Sequence, residues 1–99
     1  MNIINWSERA VQDFESALSY IADGNPQNAI LVRNRILNTV RHLESFNLGT
    51  PGPKGSLKLY VPKTSYFVVF RREPEGNISI RAFVHTSMDW ESMNWDKIV

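Results

Sequence analysis

A chain of 99 residues with 42% hydrophobic content, three Trp, three Tyr and five Phe is sized for a single domain, residues 1–99, around one core. It lies far from the charged, aromatic-poor composition of disordered chains. Eleven Lys and Arg against ten Asp and Glu leave a formal charge of +1, too small a field to steer the molecule onto nucleic acid, so direct sequence-specific DNA binding is not expected.

The chain has no Cys, which excludes a disulfide framework and a thiolate metal site. No apolar run follows a basic segment in Met1 to Ala10, and no stretch approaches the ~20 apolar residues of a membrane span. The expected location is the cytoplasm.

Asn2 to Asn5 carries Ile3 and Ile4 and reads as a short strand at a sheet edge. Ser7 is placed to cap a helix, with Trp6 spaced to staple onto Val11. Ala10, Val11, Phe14, Ala17, Leu18 and Ile21 recur at three- and four-residue steps, which predicts an amphipathic helix whose Glu8, Asp13 and Glu15 face water. Gly24 suits a left-handed helix end, Asn25 a cap and Pro26 the first turn of a second helix. That helix carries Ala29, Val32, Ile36, Val40 and Leu43 on one face and runs to about Ser45, so the pair forms an antiparallel hairpin. Ile30 and Leu37 widen its apolar surface beyond one stripe, to be covered by a sheet or by a partner.

Gly49, Pro51, Gly52, Pro53 and Gly55 predict a loop free of helix and strand. Leu57, Leu59 and Val61 then alternate with Lys58 and Tyr60 as in a half-buried strand, and Tyr66 to Phe70 is continuously apolar, as in a strand covered on both faces. Pro74 and Gly76 mark the next turn. Beyond it, Ile78, Ile80, Ala82 and Val84 are expected on the core face, with Ser79, Arg81, Phe83 and His85 opposite. Helical periods come first and strand periods second, which predicts an α+β fold: an N-terminal helical hairpin on a three- or four-stranded antiparallel sheet, with Phe14, Ile36 and Val69 in a common core.

Between Pro51 and Arg72 there are five cations (Lys54, Lys58, Lys63, Arg71, Arg72) and no acid, while Asp89, Glu91 and Asp96 follow Thr86. This reads either as a basic patch or as lysines that discourage strand addition at a sheet edge. The ordered set Trp6-Ser7, Asp13-Phe14, Tyr20-Ile21-Ala22 with Asn25-Pro26, Val68-Val69-Phe70-Arg71, and His85 with Trp90 resembles the ParE branch of the RelE/ParE toxin-antitoxin superfamily over about Ile3 to Trp90. The resemblance implies a type II toxin that poisons DNA gyrase by binding, held in a hetero-oligomer by a cognate antitoxin, ParD-like or other. Two segments depart from the family pattern. Gly55-Ser56-Leu57-Lys58-Leu59 stands where Gly-Thr-Arg-Glu-Leu is usual, and Met88 stands where an Arg is common.

His42 and His85 lie on different elements without matched ligands, and no Gly-rich loop opens a helix, so neither a metal nor another cofactor is expected. The enzymatic alternative, implied by RelE-type relatives, is ribosome-dependent mRNA cleavage. The candidates are Arg71, Arg81, His85 and Lys58, of which Arg71 and Arg81 would neutralise phosphate charge and His85 would move a proton. A third class is an inactivated member that binds antitoxin and regulates their operon. For target binding the tail is the expected surface, because Met88, Trp90, Met93, Trp95 and Ile98 are too many large apolar groups for a discarded terminus. The competing reading folds Trp90 and Trp95 back as core. For antitoxin binding the expected contacts are Ile30, Leu37 and Tyr66, in helix-in-groove or strand-addition mode.

Overall fold

The computed structural model describes residues 3–99. Strand β1 (Ile4–Trp6) leads into helix α1 (Glu8–Gly24) and helix α2 (Pro26–Ser45), followed by strands β2 (Thr50–Pro51), β3 (Leu57–Tyr60), β4 (Tyr66–Arg72) and β5 (Ile78–His85) and a short helix α3 (Trp95–Ile98). The fold is α+β, and the hairpin expected from the helical periods is present. The sheet has five strands in the order β1-β5-β4-β3-β2 and is mixed, because β1 runs parallel to β5. This corrects the expected all-antiparallel sheet of three or four strands. The early strand returns beside β5 after the whole hairpin has intervened, a long-range pairing that no local pattern encodes. Of the expected strand Asn2 to Asn5, Asn2 lies outside the described residues. The Gly49 to Gly55 loop also holds a strand, since Thr50 and Pro51 pair with Lys58 and Leu57.

Ser7 caps α1 by accepting the Ala10 N–H at 3.0 Å. The hairpin turn is tighter than expected. Asn25 closes α1 through its N–H to the Ile21 carbonyl and opens α2 by accepting the Asn28 N–H. Gly24 stays helical, and the left-handed end assigned to it is unnecessary. The staple also differs: Trp6 stands edge-on to Phe14 at 5.2 Å and against Phe83 at 5.1 Å, whereas Val11 remains exposed.

The sheet is covered on both faces, so there are two cores where one was expected. Facing the hairpin, Ala10, Val32, Ile36, Val40 and Leu43 pack on Val68, Phe70, Ile78, Ile80 and Phe83. On the opposite face Phe67, Val69, Ala82 and Val84 are covered by Trp95 and Ile98. Val69 thus belongs to the second core and Phe14 and Ile36 to the first.

A register shift between Val69 and Phe70 divides β5, because Val69 pairs with Ala82 but Phe70 pairs with Ile80, leaving Arg81 as the extra residue. A bulge of this kind breaks the two-residue alternation. Ile78 and Ile80 face the hairpin, Ala82 and Val84 face the tail, and Phe83 joins the hairpin core. The expectation that Phe83 and His85 share a face with Arg81 is therefore corrected.

Candidate functional site

The tail that was expected to display an apolar surface is largely spent on the second core. Trp95 is 3% exposed and Ile98 is buried, while Trp90 and Met93 pack against the same cluster half-buried. Met88 is different, at 50% exposure. The tail is pinned by polar contacts as well: the Trp95 indole donates to the Trp90 carbonyl at 2.6 Å, Lys54 meets Asp96 at 3.6 Å, and Lys58 Nζ sits 4.6 Å over the Trp90 ring. The reason is the uncovered face of the sheet, whose Phe67, Val69, Ala82 and Val84 would otherwise meet water.

Lys58, Arg71 and Arg81 surround Val69 on this tail side. Lys58 pairs with Val69, Arg71 lies two residues further along β4, and Arg81 is the bulge residue beside Ala82. Each already has a local contact. Arg71 meets Glu73 at 3.9 Å, and Arg81 donates from Nε to the Ile98 carbonyl at 3.2 Å and from Nη1 to the Ser79 hydroxyl at 3.0 Å. His85 does not join them, because the bulge turns it to the hairpin side, where its ring stands edge-on to Tyr66 with centroids 5.0 Å apart.

The five-cation run does not form one patch. Arg72, which had no assigned role, donates to the carbonyls of Leu43, Phe46 and Leu48 and so closes the C-terminal end of α2. Its position beside the helix end follows from the β4 register, and no sequence signal near Arg72 announces it.

The three residues expected to meet an antitoxin are separated. Ile30, 60% exposed, borders a groove between the helices with Leu18, Ala22, Ala29 and Arg33. Leu37 is half-buried seven residues on, along the same stripe of α2. Tyr66 instead lines a concavity of about 270 Å3 with His85, Tyr20, Asn28, Val32 and Lys63.

That concavity is where side chains from distant parts of the chain converge. Tyr66 and His85 are a directly opposed pair at the end of the β4–β5 ladder, and α1 and α2 supply Tyr20 and Asn28. The His85 Nδ1 accepts the Ser87 N–H at 3.0 Å and lies 2.6 Å from the Ser87 hydroxyl, so the neutral ring carries its proton on Nε2. Burial raises the Tyr66 phenol above its ordinary pKa, with a smaller contribution from Tyr20, and keeps it a hydrogen-bond donor at neutral pH. Lys63 adopts a left-handed backbone, φ 60°, in a turn held by the Arg35 Nη1 bond to its carbonyl at 3.1 Å. Sequence reading missed Tyr20, Asn28 and Lys63 here. The turn around Pro62 was legible, but not which helix ends face it.

Among the described residues no group of three or more His, Cys, Asp or Glu side chains could hold a metal ion, and no helix is long and apolar enough to cross a membrane. A helical hairpin on a five-stranded mixed sheet, with exposed apolar residues on α2 and cationic groups on strands, defines a small α+β domain. A family model for the ParE toxin of the type II toxin-antitoxin system parDE matches residues 4–90. The chain belongs to this family of toxins. Its structure is similar to one from the chromosomal ParDE toxin-antitoxin system of P. aeruginosa, with a TM-score of 0.77, 18% identity and coverage of 88% of this chain and 98% of that one. It is also similar to the isolated E. coli RelE toxin, with a TM-score of 0.61, 16% identity and full coverage of both chains. At these identities the likeness shows the shared fold. No curated protein sequence matches the chain.

Proposed function

We propose that this ParE-type toxin arrests growth by binding and poisoning DNA gyrase, and that a cognate antitoxin of ParD or another type neutralises it. Family membership supports the toxin reading, and the fold shared with a ParDE system supports an antitoxin partner. The observation that carries a binding mode is the placement of the candidate reactive groups: Lys58, Arg71 and Arg81 lie on one face of the sheet and His85 on the other. A proton-transfer group on the wrong side of a packed sheet cannot reach a phosphate bound by those cations. A partner-binding surface, by contrast, is available on α2, where Ile30 and Leu31 are 60% and 51% exposed. For the target, the exposed Met88 and the half-buried Trp90 and Met93 are the contacts, with Trp95 and Ile98 supporting them from beneath.

The test is a supercoiling assay with the purified chain. Inhibition with accumulation of cleaved DNA is expected, and unchanged supercoiling at micromolar protein refutes gyrase as the target.

A second reading, RelE-type mRNA cleavage, is favoured by the three cations around Val69. In that case Arg71→Ala, at a half-exposed position outside both cores, abolishes growth arrest, and transcripts in arrested cells are cut. Intact transcripts eliminate it. If expression of the chain neither arrests growth nor cuts transcripts while antitoxin still binds, the inactivated, operon-regulating class stands.

A further inference from the structure

We infer that the concavity formed by Tyr20, Tyr66, His85 and Lys63 is a carboxylate-binding site, which takes an aspartate or glutamate side chain from a partner's peptide segment. Its chemistry is that of a donor set. Tyr20, Tyr66, His85, Asn28 and Lys63, which carry two phenols, an imidazole, an amide and an ammonium, come from both helices and three parts of the sheet region, and all line one space. No carboxylate lines it. The adjoining hollow, which shares Tyr20, Ile21 and Asn28, brings one acid, Asp23.

Two features point to a ligand. Lys63 has no ion-pair partner among the described residues, although it occupies a left-handed position where glycine or asparagine would be easier. Backbone strain of this kind persists where the surroundings hold it, as the Arg35 bond to the Lys63 carbonyl does here, and such strain clusters at binding sites. The His85 ring is likewise fixed in orientation and tautomer by Ser87 and by the edge-on contact with Tyr66, which leaves Nε2–H as the group for a ligand to meet.

The charge count selects the ligand. One cation among neutral donors matches a single negative charge, whereas a phosphate dianion is usually met by several cations or a bidentate arginine. The apolar wall of Ile21 and Val32 suits the methylene stem of an acidic side chain. The inference rests on the antitoxin reading only for the source of the segment, and it holds for any acidic partner.

The test follows backbone amide resonances of the full chain by NMR during titration with an acetylated, amidated Ala-Leu-Glu-Leu-Ala peptide, with its Gln counterpart, and with sodium phosphate at matched ionic strength. The Glu peptide is expected to shift Asn28, Ser65, Tyr66 and Ser87 saturably, and the Gln peptide to bind about tenfold more weakly or less. Lys63→Gly relaxes the strained backbone, so it keeps the fold, and it is expected to lose the response to the Glu peptide. Tyr66→Phe, which retains the ring packing, is expected to weaken it. Equal binding of the two peptides, an undiminished response in Lys63→Gly, no saturable shift at about 10 mM peptide, or stronger binding of phosphate at the same residues would each overturn the assignment. Such failure leaves the antitoxin reading standing, because capture of a cognate antitoxin by the purified chain decides that separately.

Discussion

The carboxylate of Asp13 accepts the backbone N–H of Phe83 at 3.1 Å, joining the middle of α1 to the strand segment just past the β5 bulge. Ser7 completes the tie by donating its backbone N–H to the Ile80 carbonyl at 2.9 Å and its hydroxyl to the Arg81 carbonyl at 3.1 Å. These groups lie where β1 has ended and β5 has no further neighbour on that side. The outer edge of the bulge is thus satisfied by the start of α1, and Phe14, next to Asp13, closes the aromatic contact with Phe83. The Trp6-Ser7 and Asp13-Phe14 pairs therefore serve one joint. Asp13, expected to face water, is half-buried in it.

Asp13→Ala is expected to destabilise the fold by about 1–3 kcal/mol, because it leaves a partly buried N–H without an acceptor. Asp13→Asn keeps an acceptor and should cost less. Urea denaturation of the three proteins at neutral pH checks the order, and an unaffected Asp13→Ala would show the joint to be incidental.

Asp13 also has a pH signature. Burial raises its pKa above 3.8, against the opposing effects of the Phe83 N–H and Arg9. The folded state thus holds the proton more tightly than the unfolded chain, so this group's contribution is fully present below 3.8 and is lost as pH rises through the folded pKa. The stability of the wild type relative to Asp13→Asn should accordingly fall across the mildly acidic range and then level off. A relative stability that rises with pH would contradict the assigned cause.

Trp95→Ala removes the largest side chain covering the second core and is expected to cost about 3–5 kcal/mol, visible as a lowered Tm. Met88→Ala, at an exposed position, should stay within about 0.5 kcal/mol. Deletion of Trp95 to Val99 would expose Phe67, Val69, Ala82 and Val84, so lost activity after deletion cannot by itself report target contact. Under the proposed gyrase target, loss of inhibition in Met88→Ala with Tm unchanged is the informative result.

Arg81→Met should loosen the tail without unfolding the sheet, since it removes the bond to the Ile98 carbonyl but keeps an aliphatic stem. The expected cost is about 1–2 kcal/mol. Faster amide exchange of Lys97 and Val99 alongside protected β4 amides would check it. Unchanged exchange in the tail would show that packing alone holds it.

Ile30→Arg places a charge on the exposed stripe of α2 and should leave stability within about 0.5 kcal/mol. Antitoxin capture is expected to weaken by at least about tenfold if this stripe is the docking surface. Calorimetry with the cognate antitoxin measures it, and wild-type affinity would move the interface elsewhere.

The sequence by itself determined both long helices, the cap at Asn25 between them, the last three strands and the two-sided burial of Phe67 to Phe70. Each is written in local periodicity, capping or turn chemistry, which the backbone reads within a few residues. Only the tertiary structure decided the parallel return of β1, the bulge at Arg81 and the folding of the tail onto Phe67 and Val69. A one-residue register shift exchanges the faces of every later side chain, so Phe83 and His85 crossed to the hairpin side although their spacing was unchanged. The same shift placed His85 beside Tyr66 and away from Arg81. Trp95 and Ile98 had no local signal separating exposed from buried, because that choice depends on which face of the sheet remains open once the hairpin has docked.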